Sequence, residues 1–248
     1  MSKPSGAIDM TQGKPINLML RFALPMMIGS IFQSLYSMVD SAVLGRFVGS
    51  HALAAIGATT STTGLILLLA TGVTSAISIV LSQYVGANDT DRVRKGIVAS
   101  GWITLLLGVV LGLISVFAAR PLMQLLKTPE DVIDMSVLYI QIVCGCGIAQ
   151  FAYNAAASIL RALGDSKTPL YFLILCSILN VILDLISVIG LNMGVAGVAV
   201  ATVGSQAISA AICILVMFRK YPDLMPKRHT LRPDMPVSLK IFGMGAQM

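Results

Sequence analysis

Charge is scarce in this sequence: only 11% of its 248 residues are Asp, Glu, Lys or Arg, against roughly 25% in a soluble domain. Together with 56% hydrophobic residues and a mean hydropathy of +0.87, that shortage excludes an ordinary water-soluble globule. What remains is an integral membrane protein. Histidine is nearly absent, and neither His51 nor His229 sits at zinc-ligand spacing from Cys144, Cys146, Cys176 or Cys213. All of these cysteines fall inside apolar runs, where they read as small packing residues rather than metal ligands or disulfides. The short alternating segments of a membrane barrel are missing too, so the spans are expected to be helical.

Long apolar runs take their place. Ile16 to Gly45, Leu53 to Val85, Ile97 to Ala119, Met135 to Leu160, Pro169 to Gly190 and Val195 to Phe218 each reach the roughly 18 to 20 residues that a helix needs to cross the hydrocarbon core. Between them, "VGAND" (Val85 to Asp89), "KTPED" (Lys127 to Asp131), "GDSKTP" (Gly164 to Pro169) and "KYPD" (Lys220 to Asp223) supply the residues that end helices and shape turns. The first stretch does not read as a cleavable leader, because it is too long, carries Arg21 and Asp40, and is followed by no A-x-A-like site.

The net charge of +6 would suit nucleic acid in a soluble chain, but here its placement is topological. Of the 17 Lys and Arg residues, only Arg46, Arg120 and Lys127 fall on one side of the six spans. The rest sit in the N-terminal segment, in alternate loops, and after the sixth span. By the positive-inside rule both termini are expected in the cytoplasm, and nucleic acid is not an expected partner. The expected organisation is a cytoplasmic segment 1–15, a six-helix lobe 16–218 and a basic linker 219–237. Residues 238–248, "SLKIFGMGAQM", read as the start of a truncated seventh helix. Displaced by 220 positions, this tail lies over the first span (Phe242 on Phe22), which suggests a second six-helix repeat of the same orientation.

Polar residues inside the spans fall at one depth. Counted at about 1.5 Å per residue from the outer helix ends, Asp40 lies about 13 Å down, Asp184 about 9 Å, Asn180 about 15 Å, Thr202 about 12 Å and Tyr139 about 6 Å. Asn180 and Asp184 share a helix face through their i, i+4 spacing. An ionised Asp at mid-membrane costs about 2.5 to 3.5 kcal/mol on insertion scales, so Asp40 and Asp184 call for a reason. Three are open: hydrogen-bonded links between helices, a proton or Na⁺ site built from hard oxygen donors, or paired-aspartate catalysis. The last lacks the G-x-G-D element of intramembrane aspartyl proteases. The nearest segment, "ALGD" (Ala162 to Asp165), lies in a loop, and no enzymatic activity is expected.

Taken together, "FALPMMIGSIFQSLYSMVDSAVLGRFVGSHALAAIG" (Phe22 to Gly57), "SILRALGDSKTPL" (Ser158 to Leu170) and "LNVILDLISVIGLNMGVAGVAVAT" (Leu179 to Thr202) resemble the N-terminal lobe of the prokaryotic MATE (multidrug and toxic compound extrusion) transporters. The resemblance runs from about Ile16 to Phe218. It implies an all-α membrane fold of twelve helices in two six-helix lobes around a central cavity. The implied activity is antiport in which amphipathic, often cationic drugs leave the cell in exchange for Na⁺ or H⁺, with no cofactor. It also implies that the first-lobe cation site falls on Asp40, Asn180, Asp184, Thr202 and Tyr139, with Na⁺ held by Asp40, Asn180, Asp184 and Thr202.

Gln33 and Tyr36, seven and four residues before Asp40, are expected to line the substrate cavity, as is Asn154, about 29 Å from the outer end of the fourth span. "CGCG" (Cys144 to Gly147) and Gly194, Gly197, Ala201 and Gly204 read as small residues for close helix approach. The expected location is the prokaryotic cytoplasmic membrane. The expected partners are drug substrates, membrane lipid, and the missing second lobe or a second copy of the chain. A lipid-linked precursor flippase of related fold is the alternative transporter, though the helix interiors lack the basic residues its phosphates would need. A non-transporting structural lobe is the alternative outside transport.

Overall fold

A computed structural model describes residues 15–224, 226, 233–245 and 247. Its elements are α1 (Pro15–Phe47), α2 (Ser50–Gly86), α3 (Thr90–Leu125), α4 (Glu130–Gly145), α5 (Ile148–Ala162) and α6 (Lys167–Asp184). A π-helical turn (Leu185–Gly190) then leads to α7 (Gly194–Lys220), and a 3-10 turn (Pro222–Leu224) to α8 (Met235–Gly245). No strand occurs among the described residues. Of the N-terminal segment 1–15 only Pro15 is described, and Lys227, Arg228 and Arg232 of the expected linker lie outside the described residues.

Turn chemistry sets the helix ends as the local sequence dictates. Asn88 takes a left-handed backbone (φ 55°), a conformation Asn tolerates better than most residues. Asp89 then caps α3 by accepting the Arg92 amide at 3.0 Å. Gly164 supplies a φ of 83° between α5 and α6.

The surface is inverted relative to a soluble protein. Leu65, Leu68, Leu106, Leu113 and Phe117 are exposed, while Ser100, Ser136, Asn180, Asp184 and Ser205 are fully buried. Lipid, not water, suits such an exterior. Four helices, α2, α3, α6 with its π turn, and α7, are long and apolar enough to cross a membrane, as is the pair α4 and α5 taken together. Helix α1, at 33 residues, is long enough but falls short on apolarity among its described residues. Ser30, Gln33, Ser34, Ser37 and Ser41 crowd one exposed stretch of it, with Asp40 beside them. It runs unbroken through Pro25.

The fourth span is where the structure departs most from expectation. A single helix was expected over Met135 to Leu160; instead the chain breaks at Cys146–Gly147 and turns by 43°. Asn154 lies beyond this bend, so its depth counted along a straight helix does not hold. The physical cause lies in α3, whose backbone comes against the break. A methyl added at Gly112 would stand 2.9 Å from the Gly145 carbonyl oxygen, and one at Gly108 would stand 3.1 Å from Ile148 Cα. The small residues of "CGCG" therefore permit close approach and also end the helix.

Because the nearest atom at Gly112 is backbone, Gly112→Ala is expected to destabilise the fold by roughly 1 to 3 kcal/mol through overpacking. Thermal melting in detergent reads this out, with Gly101→Ala as control, since an added methyl there meets nothing within 4 Å. Equal melting points for the two variants would contradict the close approach.

Two ends can be distinguished. At the basic end, where the α2–α3 and α5–α6 turns lie, Ile77, Leu81, Ile97, Ile159, Leu160, Met217 and Ile241 form the main buried cluster. Helix α8 docks there against α2 and α3, with Val237 and Ile241 buried and Lys240 reaching Gln83 at 3.0 Å. It starts three residues before the expected Ser238. At the far end Val43, Leu44, Ala52, Val188, Val195 and Val198 close a second cluster beneath the π turn.

Candidate functional site

The buried polar residues of the far half belong to four helices. Asp184 ends α6, just where the backbone loosens into the π turn, a distortion that is rare in helices and frequent at functional sites. Gly197 of α7 makes room for that turn: a methyl there would lie 3.1 Å from Ser187 Cβ. Asp184 and Asn180 are fully buried, and Thr202 of α7 is 3% exposed. Asp40 of α1, Tyr36 one turn before it, and Tyr139 of α4 are half-buried.

These side chains converge. The carboxylates of Asp40 and Asp184 face each other. Tyr139 lies within electrostatic range of both, and Tyr36 comes up against Thr202 and Asp40. Asn180 sits one turn from Asp184 on the same face of α6.

The decisive feature is what these groups lack. Asp40 Oδ1, both Asp184 carboxylate oxygens, both polar atoms of the Asn180 amide and Thr202 Oγ1 are buried without a hydrogen-bond partner in the chain. An unsatisfied buried polar atom costs about 1 to 3 kcal/mol, more when charged. Six such atoms, on four residues of three helices, are left to be satisfied from outside the chain. Carboxylate, amide and hydroxyl oxygens suit a hard cation such as Na⁺, or a proton shared between the carboxylates. No group of three or more His, Cys, Asp or Glu side chains fit to hold a metal ion exists among the described residues. Oxygen donors of this kind suit a hard cation better than a soft transition metal.

Gln33 is exposed on the polar stretch of α1, and Asn154 is half-buried in α5; no described interaction joins either to the cluster. Tyr36, expected in the substrate cavity, is half-buried and comes up against Thr202 and Asp40. Cys176 of α6, read from sequence as packing, lies against Ser205 and Ser209 of α7. Its i, i+4 spacing from Asn180 was the available signal.

A separate polar centre marks the basic end. Asp165 (1% exposed) accepts the Thr168 amide at 3.1 Å and the Thr168 hydroxyl at 2.6 Å. Lys220 at the end of α7 completes an ion pair with it at 2.6 Å. This pair ties the α5–α6 turn to the last residue of the sixth span. Arg94 adds a second tie there by donating from Nε to the Asp223 carbonyl at 2.8 Å.

An apolar exterior, a bundle of long apolar helices and an unsatisfied polar cluster inside define the class: a multi-pass membrane lobe of the kind that makes up half of a two-lobe transporter. The chain belongs to the MatE family, whose profile matches residues 25–186. It is 34% identical over 205 residues to the probable multidrug resistance protein YpnP of Bacillus subtilis, covering 82% of this chain and 46% of that protein. It is 31% identical over 220 residues to the probable multidrug resistance protein YoeA of the same organism, covering 87% of this chain and 46% of that protein. Among solved structures it superposes on an outward-facing multidrug resistance MATE family transporter of the MOP superfamily with a TM-score of 0.87. That pair is 26% identical and covers 94% of this chain and 52% of the other. The chain thus spans about half the length of the curated relatives it matches.

Proposed function

We propose that this chain is the first lobe of a cation-coupled antiporter that exports amphipathic, often cationic drugs across the cytoplasmic membrane, with its basic end in the cytoplasm. The coupling ion, Na⁺ or H⁺, binds at Asp40, Asn180, Asp184 and Thr202, with Tyr139 beside them. The single observation carrying this reading is the set of buried, partnerless oxygens on Asp40, Asn180, Asp184 and Thr202, drawn from three helices. Burial without a partner is costly for a structural role, whereas a bound cation satisfies every one of those acceptors at once.

Substrate is held along the polar stretch of α1, where Gln33 and the neighbouring serines are exposed beside the cation site, with Asn154 deeper in the cavity. A second lobe, or a second copy of the chain, forms the other wall, and rocking of the two gives alternating access. Because Asp40 belongs to α1 and Asp184 to α6, an ion that binds both favours the arrangement in which these helices are drawn together. A ligand shifts an equilibrium only through such differential affinity. Substrate on the exposed face of α1 is then released as α1 moves.

Isothermal calorimetry of the chain in lipid nanodiscs tests the ion. Na⁺ is expected to give a saturable heat that diminishes as pH falls, since a protonated carboxyl no longer ligates a cation. Proton uptake without any Na⁺ heat assigns H⁺ as the coupling ion. Neither signal at any pH between about 5 and 9 refutes the cation site.

A further inference from the structure

Helices α6 and α7 pack against each other, and polar side chains run along their seam at helical spacing. On α6 these are Cys176, Asn180 and Asp184, at intervals of four; on α7 they are Thr202, Ser205 and Ser209, with Cys213 one turn beyond. The two rows meet, because Cys176 lies against both Ser205 and Ser209. At one end the seam opens into the Asp40–Asp184 cluster. At the other, Cys213 comes within electrostatic range of Arg161 and of Asp165, the partner of Lys220.

Small polar residues between membrane helices are ordinary packing, and such a row carries nothing by itself. Here, however, atoms are left over. Ser205 gives its proton to the Thr202 carbonyl at 2.9 Å, the usual outlet for a helical serine. Ser209 is equally buried, yet its hydroxyl has no partner in the chain, and neither do the Asn180 amide and the Thr202 hydroxyl further along the same seam. Interior polar atoms with no protein partner are as a rule satisfied by water.

We infer that the α6–α7 seam is a hydrated polar file that connects the carboxylate cluster with the Asp165–Lys220 end of the bundle and admits water and a small monovalent cation. Its use as the coupling ion's exit rests on the function proposed above; the hydration does not. Through such a file the ion leaves for the basic end once rocking of the lobes has closed its site to the outer side, by a route apart from the cavity that holds the drug. Ion and substrate then travel by separate routes through one lobe.

The cysteines supply the test. Silver ion, a small monovalent cation, displaces the thiol proton to form a sulfur–silver bond and releases H⁺, and it needs a wet path to reach the sulfur. The chain in nanodiscs is exposed to Ag⁺ for increasing times, quenched and unfolded. Thiols still free are then labelled and located by peptide mass spectrometry. Cys213 is fully buried one turn beyond Ser209 on α7, whereas Cys144, 6% exposed, belongs to α4 and lies off the α6–α7 seam. Cys213 is expected to be blocked at least roughly tenfold faster than Cys144, because thiol reactivity follows access. Ser209→Leu, which fills the seam, is expected to slow the blocking of Cys176 by a similar factor.

Equal, slow rates at Cys213 and Cys144 overturn the proposal, and so do rates in Ser209→Leu that match the unsubstituted chain. If Ser209→Leu unfolds, which rapid loss of Cys144 would reveal, the Cys213 to Cys144 ratio in the unsubstituted chain decides alone. Fast Cys213 with no Na⁺ or proton heat sinks the cation site but leaves the file; a cation heat with a protected Cys213 does the reverse.

Discussion

Asp184→Asn is expected to abolish cation-dependent stabilisation of the lobe while raising its stability in the absence of the ion. In the chain without a ligand, Asp184 presents two buried oxygens with no partner directly before the Asp40 carboxylate. Replacing one carboxylate by a neutral amide of the same shape removes the charge from that apposition, and the new N–H group gives Asp40 a donor. Both effects favour the empty fold. With ion the sign reverses, because the substitution removes a charged ligand from a desolvated site.

Loss of one partner from a buried charge pair costs about 3 to 5 kcal/mol, and each 1.4 kcal/mol is tenfold in affinity, so ion affinity should fall by roughly a hundredfold to a few thousandfold. Thermal melting of the two chains with and without saturating Na⁺ reads both effects together. A ligand at a hundred times its Kd raises stability by about 2.7 kcal/mol, and only the unsubstituted chain should show that rise. Asp40→Asn should behave alike, as both residues serve one site. A pair of variants whose melting responds to Na⁺ like the parent would mean that the carboxylates are only links between helices.

The second large effect is expected at the other end. Lys220→Met leaves Asp165 buried with no counter-charge, and a cost of about 3 to 5 kcal/mol follows for breaking a buried pair from that side. Asp165→Asn is expected to cost less, about 1 to 2 kcal/mol. Lys220 is 23% exposed and can turn to solvent, and the amide oxygen can still accept the Thr168 amide that Asp165 now holds. The asymmetry is the signature. A structural ion pair in open water would show neither a large effect nor an ordering of the two, since exposed pairs contribute only about 0.2 to 1 kcal/mol. Urea unfolding of the reconstituted chain, followed by circular dichroism, gives both numbers and their ratio. The double variant should lie between the singles, because removing both partners leaves no charge stranded.

Much of this molecule could be read without coordinates. Hydropathy and turn residues act locally, so most of the apolar spans and their order followed from counting residues along a helix, and the same counting set Asp40, Asn180, Asp184 and Thr202 apart as polar groups inside them. The bilayer sharpens such counting, since it forbids an unpaired backbone and makes every interior carboxylate conspicuous. The likeness to the family was carried by the first-helix aspartate, the "RALGD" turn and the "LN...LD" of α6.

What local signals could not supply is which faces meet. The break at Cys146–Gly147 depends on Gly108 and Gly112, more than thirty residues earlier, letting the α3 backbone press against it. The meeting of Tyr36 with Thr202 and Asp40 depends on where α7 places Thr202. Lys220 finds Asp165 across 55 positions, and Ser209 of α7 is buried against Cys176 of α6 without a hydrogen-bond partner. A sequence records the polarity and spacing of side chains along each helix. The rotation of one helix against another is decided by packing among residues far apart in the chain, and on that rotation depends whether a polar group is paired, solvated or left waiting for an ion.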